Sequence, residues 1–136
     1  LFGQGYIADY LFQKDPLFAR LTLDNNELEL YQKVYQQIAV DVPTPDLVIY
    51  LQAPAKVLKE RVQQRGIAFE RNIDLRYLEQ VNEAYSEFFF DYQASPLLIV
   101  NAEEIDFAHN DRDYQQLLDY LLEIRSGRHY FNPTFF

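Results

Sequence analysis

Residues 46–52 read DLVIYLQ, and this stretch is the clearest buried strand in the sequence. Its centre is an uninterrupted apolar run, which is typical of a strand covered on both faces of a parallel sheet. Pro45 precedes the run, and Pro54 follows it at a position suited to the start of a helix. We therefore predict a strand over 46–52 followed directly by a helix, the unit from which parallel sheets are built.

Two other apolar runs predict further strands of the same sheet. Residues 97–100 read LLIV, and residues 6–9 read YIAD after a glycine-containing turn. Because these runs alternate with helical segments, we predict an α/β fold with a parallel sheet covered on both faces. Three strands make a small sheet, and no glycine-rich turn joins a strand to a helix. We therefore expect the sheet to lack members.

Capping residues predict where several helices begin and end. Asp24 and Glu27 have the spacing of a capping box, so a helix is predicted to start just after Asp24. Asp74 is predicted to cap a long helix with a Tyr- and Phe-rich stripe. The helix after Pro54 is predicted to end around Gly66, and a last helix is predicted over about 112–124, ended by Gly127. The aromatic tail HYFNPTFF is assigned no helix or strand.

Composition limits the classes of protein that the chain can belong to. Its 136 residues, 49% of them hydrophobic, suffice for a single domain spanning 1–136, which we expect to be incomplete. A net charge of −9 argues against a nucleic-acid polymer as partner, because phosphate backbones require a basic surface. The absence of Cys excludes disulfides and Cys-based zinc sites. With no apolar run of membrane-spanning length and no visible signal peptide, we expect a cytoplasmic protein without a membrane partner.

Asp9 is the first candidate for chemistry. It ends the predicted strand 6–9, at the edge where open α/β sheets bind ligands. A carboxylate there can hold Mg²⁺ or accept a proton from a hydroxyl group. The alternative is that Asp9 only caps a turn.

Arg61 and Arg65 are the second candidate. They stand four residues apart on one predicted helix and so project from the same side, and Arg71 follows. Guanidinium groups suit phosphate oxygens and the charge that develops in phosphoryl transfer. A solvated basic surface explains the same spacing, and spacing alone favours that explanation.

Three loop residues complete the candidates. Glu70 can accept hydrogen bonds from a sugar hydroxyl, or pair with Arg71. Asp106 and Phe107 follow the predicted strand 97–100 at the ligand edge of the sheet, where they can frame a base. An ordinary loop accounts for them equally well.

Three sequence blocks occur in a fixed order through the middle of the chain. The strand 46–52 leads into 58–66 (LKERVQQRG), then into 70–78 (ERNIDLRYL) and a Tyr- and Phe-rich helix. This order resembles the deoxynucleoside kinase family, from its fourth strand through its flexible lid at about 61–73. The resemblance implies a P-loop-kinase-like, three-layer α/β/α fold with a parallel sheet.

The resemblance also implies roles for individual residues. Asp9 matches the acidic residue near Mg²⁺ and the reacting phosphates, and Phe18 matches the aromatic that stacks on the substrate base. Asp15 is the nearest match to a base-contacting acid, at a spacing one residue short. Arg61 and Arg65 match the lid arginines that grip the donor phosphates.

Further correspondences fall on the loops. Glu70 matches the acid that holds the deoxyribose 3′-hydroxyl, and Asp106 and Phe107 fall beside the donor adenine. Where many family members have an arginine after the acidic residue, this chain has Tyr10, and Lys14 is a candidate replacement. Many lids in the family also carry an arginine at the position of Ile67.

The implied activity is ATP-dependent 5′-phosphorylation of a deoxynucleoside, with Mg²⁺. We also expect a symmetric homodimer through the helix after Asp24, which carries Tyr31 and Tyr35, and through the last helix. The family's phosphate loop, G-x-x-x-x-G-K-[ST], does not occur in the sequence, and we expect it to precede Leu1. The 136 residues alone are therefore expected to be inactive. The alternatives are a non-catalytic nucleotide-binding module of the same fold and a nucleoside monophosphate kinase.

Overall fold

A parallel sheet lies at the centre of the C-terminal part of the molecule. The computed structural model describes residues 5–68, 72–105 and 109–132. Strands β1 (Val48–Gln52), β2 (Leu97–Asn101) and β3 (Arg128–Phe131) pair in the order β1-β2-β3. Both pairings are parallel. The predicted α/β class with a parallel sheet is therefore confirmed.

Five α-helices occur in the described ranges. After residue 43, two helices lie between the first two strands and one lies between the last two. The elements are a 3₁₀ turn at Phe12–Lys14, α1 (Asp15–Thr22), α2 (Asn25–Ala39), α3 (Ala55–Arg65), α4 (Leu75–Asp91) and α5 (Asp111–Leu121). The chain divides into two compact units, Leu1–Pro43 and Thr44–Phe136. In the described part of the chain, no helix is both long enough and apolar enough to cross a membrane.

The core of the second unit forms around β2, which is buried on both faces. Leu98 and Val100 are fully buried on one face, where they pack with Ile105 and Phe131. Residues of α5 and the following turn cover this cluster; they are Leu117, Tyr120, Leu121 and Ile124. On the other face of the sheet, Tyr50 of β1 stacks on Phe89 of α4, with 4.5 Å between ring centroids. Helix α5 therefore covers one face of the sheet at β2 and α4 covers the other at β1, which confirms the prediction that helices lie on both faces.

β1 is less well covered than its sequence predicts. Among the described strands it has one neighbour, β2. Its Ile49 and Leu51 side chains are 42% and 54% exposed, although an all-apolar strand is typical of a sheet interior. The expectation that the sheet lacks members stays a prediction.

The helix boundaries follow the capping residues. The Glu27 backbone N–H donates to the Asp24 carboxylate at 2.8 Å, and the Asp24 N–H donates to the Glu27 carboxylate at 3.2 Å. Asp74 accepts from the Arg76 N–H at 3.1 Å. Gly66 ends α3 at φ 71°, a left-handed conformation that favours glycine. The predicted caps of α2, α3 and α4 are therefore confirmed.

The predicted strand at 6–9 is wrong. This segment is irregular, Asp9 and Tyr10 form a bend, and Tyr6 is 89% exposed. A strand needs a neighbour for its backbone N–H and C=O groups. None of the described strands pairs with this segment, so its short apolar run remains outside the sheet.

β3 was assigned no element from the sequence. Its four residues lie opposite Leu97–Val100 of β2, and the Leu97 N–H donates to the carbonyl of Gly127 at 2.9 Å. Gly127, at φ 80°, directly precedes β3 instead of ending the last helix, which already stops at Leu121. The aromatic, β-prone residues after a glycine are the signal that could have predicted it.

Truncating the central core is expected to destabilise the second unit strongly. Leu98→Ala removes a fully buried side chain between β2 and α5, so the free energy of unfolding should fall by about 2–5 kcal/mol. Urea unfolding followed by circular dichroism measures it. Leu122→Ala, at a residue that is 67% exposed, is the control and should change stability little. Equal effects of the two variants would contradict the assigned core.

Candidate functional site

A cluster of charged and aromatic residues surrounds Lys14 in the first unit. The Lys14 ammonium lies 3.8 Å from the Tyr10 ring centroid and 4.8 Å from that of Phe18. Burial lowers the pKa of Lys14, and the nearby carboxylates of Asp9 and Asp15 act in the opposite direction. Three predicted site residues (Asp9, Asp15 and Phe18) therefore come together around one ammonium group.

Asp15 has a partner that sequence reasoning missed. The Tyr31 hydroxyl of α2 donates a hydrogen bond to the Asp15 carboxylate. Tyr31 also stacks on Tyr35 with 5.8 Å between centroids, and Tyr35 stacks on Phe12 at 4.9 Å. Burial raises the pKa of Tyr31 well above its usual range, and the hydrogen bond and charge of Asp15 raise it further. The sequence does not predict this partner of Asp15, because Tyr31 lies 16 residues away along the chain.

Asp9 does not end a strand, but its carboxylate remains suited to Mg²⁺. The side chain is exposed in the bend at residues 9–10. In the described ranges no three His, Asp or Glu residues come together as a metal site. Mg²⁺ commonly takes one or two carboxylates and fills its remaining positions with phosphate oxygens and water. A single exposed carboxylate therefore fits an ion that is shared with bound phosphates.

Polar side chains line a cavity of about 350 Å³ where the strands of the second unit end. Gln52 ends β1, Asn101 ends β2 and Asn132 follows β3, while Asn82 and Ser86 reach the cavity from α4. The carboxyl ends of parallel strands are where open α/β sheets bind ligands. Among the described residues of the lining, Glu103 is the one with a charge, so this part of the cavity suits an uncharged polar group better than a phosphate.

Arg61 points from α3 to the loop after β2. Its Nη2 atom lies 2.6 Å from the Ala102 carbonyl oxygen, 3.0 Å from that of Glu103 and 3.4 Å from that of Ile105. The side chain is half-buried. The sequence identified this arginine as a candidate but gave no indication that backbone carbonyls would engage it.

Arg65 has a different environment from Arg61. It is exposed in the last turn of α3, directly before the left-handed Gly66. The two arginines therefore share a helix but differ in exposure. The remaining predicted residues lie outside the described residues; they are Glu70, Arg71, Asp106 and Phe107.

Comparison with known proteins identifies the family of this chain. The family model for deoxynucleoside kinase matches residues 3–124. The chain belongs to the deoxynucleoside kinase family. The match includes the Lys14 cluster, α3 with both arginines, and the loop after β2.

Curated relatives of this family member come from bacteria and from an amoeba. The chain is 35% identical over 126 residues to a deoxyguanosine kinase of Bacillus subtilis, covering 90% of this chain and 61% of the relative. It is 25% identical to a deoxyadenosine kinase of Lactobacillus acidophilus, covering 82% and 59%. A deoxyadenosine kinase of Dictyostelium discoideum is 28% identical, covering 75% and 44%. The chain thus spans at most about three-fifths of these relatives.

Removing the Tyr31 hydroxyl is expected to weaken the first unit at neutral pH. Tyr31→Phe deletes the hydrogen bond to Asp15, and we expect the free energy of unfolding to fall by about 0.5–1 kcal/mol, since water still reaches both groups. The folded-state pKa of Tyr31 is raised, so the unfolded state loses this proton first. The contribution of the Tyr31 hydroxyl to the free energy of unfolding should therefore decline as pH rises above about 10.

Urea unfolding of both proteins at about pH 7 and about pH 10.5 measures the effect. Tyr114→Phe, at a residue that is 53% exposed, is the control and should match the wild type at both pH values. A difference between wild type and Tyr31→Phe that stays constant with pH would contradict the assigned role of the hydroxyl.

Proposed function

We propose that the full-length protein transfers the γ-phosphoryl group of ATP to the 5′-hydroxyl of a deoxynucleoside. The observation that carries this proposal is the family match over residues 3–124, together with relatives named as deoxyguanosine and deoxyadenosine kinases. The proposal concerns the full-length protein because the chain spans 61% of its Bacillus subtilis relative. Phosphoryl transfer of this kind depends on positioning and charge stabilisation.

The base of the acceptor is proposed to bind beside Asp15 and Phe18. An ionised carboxylate only accepts hydrogen bonds, so Asp15 selects a base that presents N–H donors. The Tyr31 hydroxyl donates a hydrogen bond to the Oδ2 atom of this carboxylate and so holds it in one orientation. Phe18 offers an aromatic surface for stacking. The names of the relatives support a purine deoxynucleoside as acceptor.

Roles toward the phosphates are proposed separately for Asp9, Lys14 and Arg65. Asp9 would hold Mg²⁺, which when bound neutralises charge on the transferring phosphates. Lys14 supplies a positive charge in the part of the chain where Tyr10 replaces the usual arginine, and its ammonium is already held near Asp9. Arg65 is an exposed cation at the end of the lid helix. Guanidinium and ammonium groups both bind phosphate oxygens.

Residues outside the described ranges complete the proposal. Glu70 is proposed to accept a hydrogen bond from the deoxyribose 3′-hydroxyl, and Asp106 and Phe107 to frame the adenine of the donor. The support for these roles is their place in the family's motif, within the matched residues 3–124.

An acceptor assay tests the activity. Full-length protein incubated with ATP, Mg²⁺ and each of the four deoxynucleosides should yield the 5′-monophosphate at roughly 1–100 per second, with the highest kcat/KM for a purine. Phosphorylation of deoxynucleoside monophosphates in place of deoxynucleosides would indicate a nucleotide kinase. No product with any acceptor would refute the proposal and favour a non-catalytic binding module.

Glu70→Ala tests how the sugar is recognised. A carboxylate that binds the 3′-hydroxyl contributes roughly 1.5–3 kcal/mol, so the variant should raise KM for the preferred deoxynucleoside about tenfold to a hundredfold. The effect on a 2′,3′-dideoxynucleoside should be much smaller, because that substrate lacks the hydroxyl. Glu79→Ala removes an exposed carboxylate of α4 as a control. Equal losses for both substrates in Glu70→Ala would exclude the contact.

We further propose that the protein is a homodimer that uses α2. The sequence-based expectation rested on Tyr31 and Tyr35, which instead stack with each other inside the first unit. Another apolar stripe, Leu30, Val34 and Ile38, is 66%, 50% and 51% exposed along the same helix. Residues four apart lie on one side of a helix, so these three form one apolar surface. A part for α5 stays a prediction.

A charge placed on this surface should separate the subunits. Val34→Glu would bury an unpaired carboxylate in the proposed interface. In sedimentation velocity at micromolar concentration we expect the wild type to be a dimer and Val34→Glu to be a monomer. Gln36→Glu adds the same charge to an exposed polar position of α2 and should leave the dimer intact. A wild-type monomer, or a Val34→Glu dimer, would contradict the assignment.

A further inference from the structure

Three backbone carbonyls converge on one nitrogen of Arg61. The Nη2 atom lies 2.6, 3.0 and 3.4 Å from the carbonyl oxygens of Ala102, Glu103 and Ile105. This nitrogen has two hydrogens, so the three acceptors share them. All three carbonyls belong to the first turn of chain after β2, and one side chain of α3 therefore fixes the path of this loop.

The loop needs this donor because its ends are buried. Ala102 and Ile105 are 6% and 5% exposed, and buried carbonyl groups require hydrogen-bond partners. If the Arg61 guanidinium turned to a phosphate, these carbonyls would lose it. Among the described residues, Arg61 is the one side chain shown donating to the three carbonyls.

The backbone N–H groups of the same loop are held from the other side. The Ala102 N–H donates to the Gln52 carbonyl of β1 at 2.8 Å. The Glu103 N–H donates to the side-chain oxygen of Asn101 at 3.2 Å. Residues of the sheet accept hydrogen bonds from the N–H groups of the loop, and Arg61 of α3 donates to its carbonyl groups. Arg61 therefore completes the attachment of the loop.

We propose that Arg61 is a positioning residue, which ties the lid helix α3 to the loop that leads to the donor-base position and does not bind the donor phosphates. The inference rests on the proposed function for what the loop recognises, because Asp106 and Phe107 follow directly. Two arginines four residues apart thus act on different parts of the donor: Arg61 on its base through the loop, and Arg65 on its phosphates.

Hydrogen–deuterium exchange tests the attachment without any ligand. In full-length Arg61→Ala, peptides covering the Ala102 and Glu103 amides should exchange about tenfold faster than in wild type, because the loop opens more often. Arg61→Lys should exchange at an intermediate rate, since an ammonium donates to carbonyls but lacks the guanidinium's reach. Lys56→Ala, an exposed cation of α3, is the matched control and should leave exchange unchanged. Unchanged exchange in Arg61→Ala would overturn the proposal.

Inhibition by inorganic tripolyphosphate distinguishes weaker binding of the donor base from weaker binding of the donor phosphates. This probe carries the phosphates of the donor without its base. Arg61→Ala should raise KM for ATP about tenfold while leaving the KM for deoxynucleoside and the inhibition constant of tripolyphosphate unchanged. Arg65→Ala should weaken ATP and tripolyphosphate alike. A matching loss of tripolyphosphate affinity in Arg61→Ala would show direct phosphate binding and refute the positioning role, as would an unchanged KM for ATP.

The two proposals fail in distinguishable ways. A wild-type protein without kinase activity would refute the proposed function, and the exchange measurement would still decide whether Arg61 holds the loop. An active wild type with unchanged loop exchange in Arg61→Ala would refute only the positioning role.

Discussion

The pairing of β2 with a strand on each side is the constraint on which the rest of the second unit depends. Leu97 lies opposite Val48 of β1 and Arg128 of β3, so the backbone of β2 is held along both edges. Its Leu98 and Val100 side chains are fully buried, and any change of register by one residue would turn them to the other face. Because all pairings are parallel, the strand ends and the loops that follow them meet at one edge. The place of the cavity and of the loop at residues 102–105 follows from that pairing.

Arginines supply hydrogen-bond donors where the chain leaves this regular structure. Arg128 of β3 donates to the carbonyls of Phe89, Phe90 and Tyr92 at 2.5, 2.9 and 3.4 Å, at the C-terminal end of α4. The last carbonyls of a helix have no partner within it, and a cation there also suits the helix dipole. Arg61 does the same for the loop after β2. In both cases one planar, always charged group reaches several carbonyls that a short polar side chain could not.

Local signals in the sequence predicted most of the fold. Helix ends depend on residues a few positions apart, so the capping box at Asp24 and the glycine at Gly66 were sufficient. The apolar runs likewise predicted β1 and β2. Strand pairing is non-local, and here the sequence failed twice: the run at 6–9 found no partner among the described strands, while β3 formed from a tail with no long apolar run. Whether a short apolar segment joins a sheet depends on its neighbour more than on its own residues.

The same division between local and non-local information applies to the candidate site. Residue type and position in the sequence made Asp9, Arg61 and Arg65 candidates, although spacing alone favoured a solvated surface for the two arginines. Asp15 became a candidate only through the resemblance to the family. Their contacts depend on segments distant in sequence: Tyr31 is 16 residues from Asp15, and Ala102 is 41 from Arg61. A spacing of four on a helix predicts a shared side, but it does not predict what lies in front of each residue.

Two arginines of α3 lie in different surroundings although they are only four residues apart. Arg61 lies in the middle of the helix, where a packed loop supplies acceptors and solvent is partly excluded. Arg65 lies one turn later, where the helix ends at a left-handed glycine and the side chain is exposed. An anion that approached Arg61 would have to displace carbonyls that are already in place. Displacing them would leave partly buried acceptors without a donor, which is unfavourable by about 1–3 kcal/mol for each group. The contacts of Arg61 therefore support its proposed role in attaching the loop after β2 to α3.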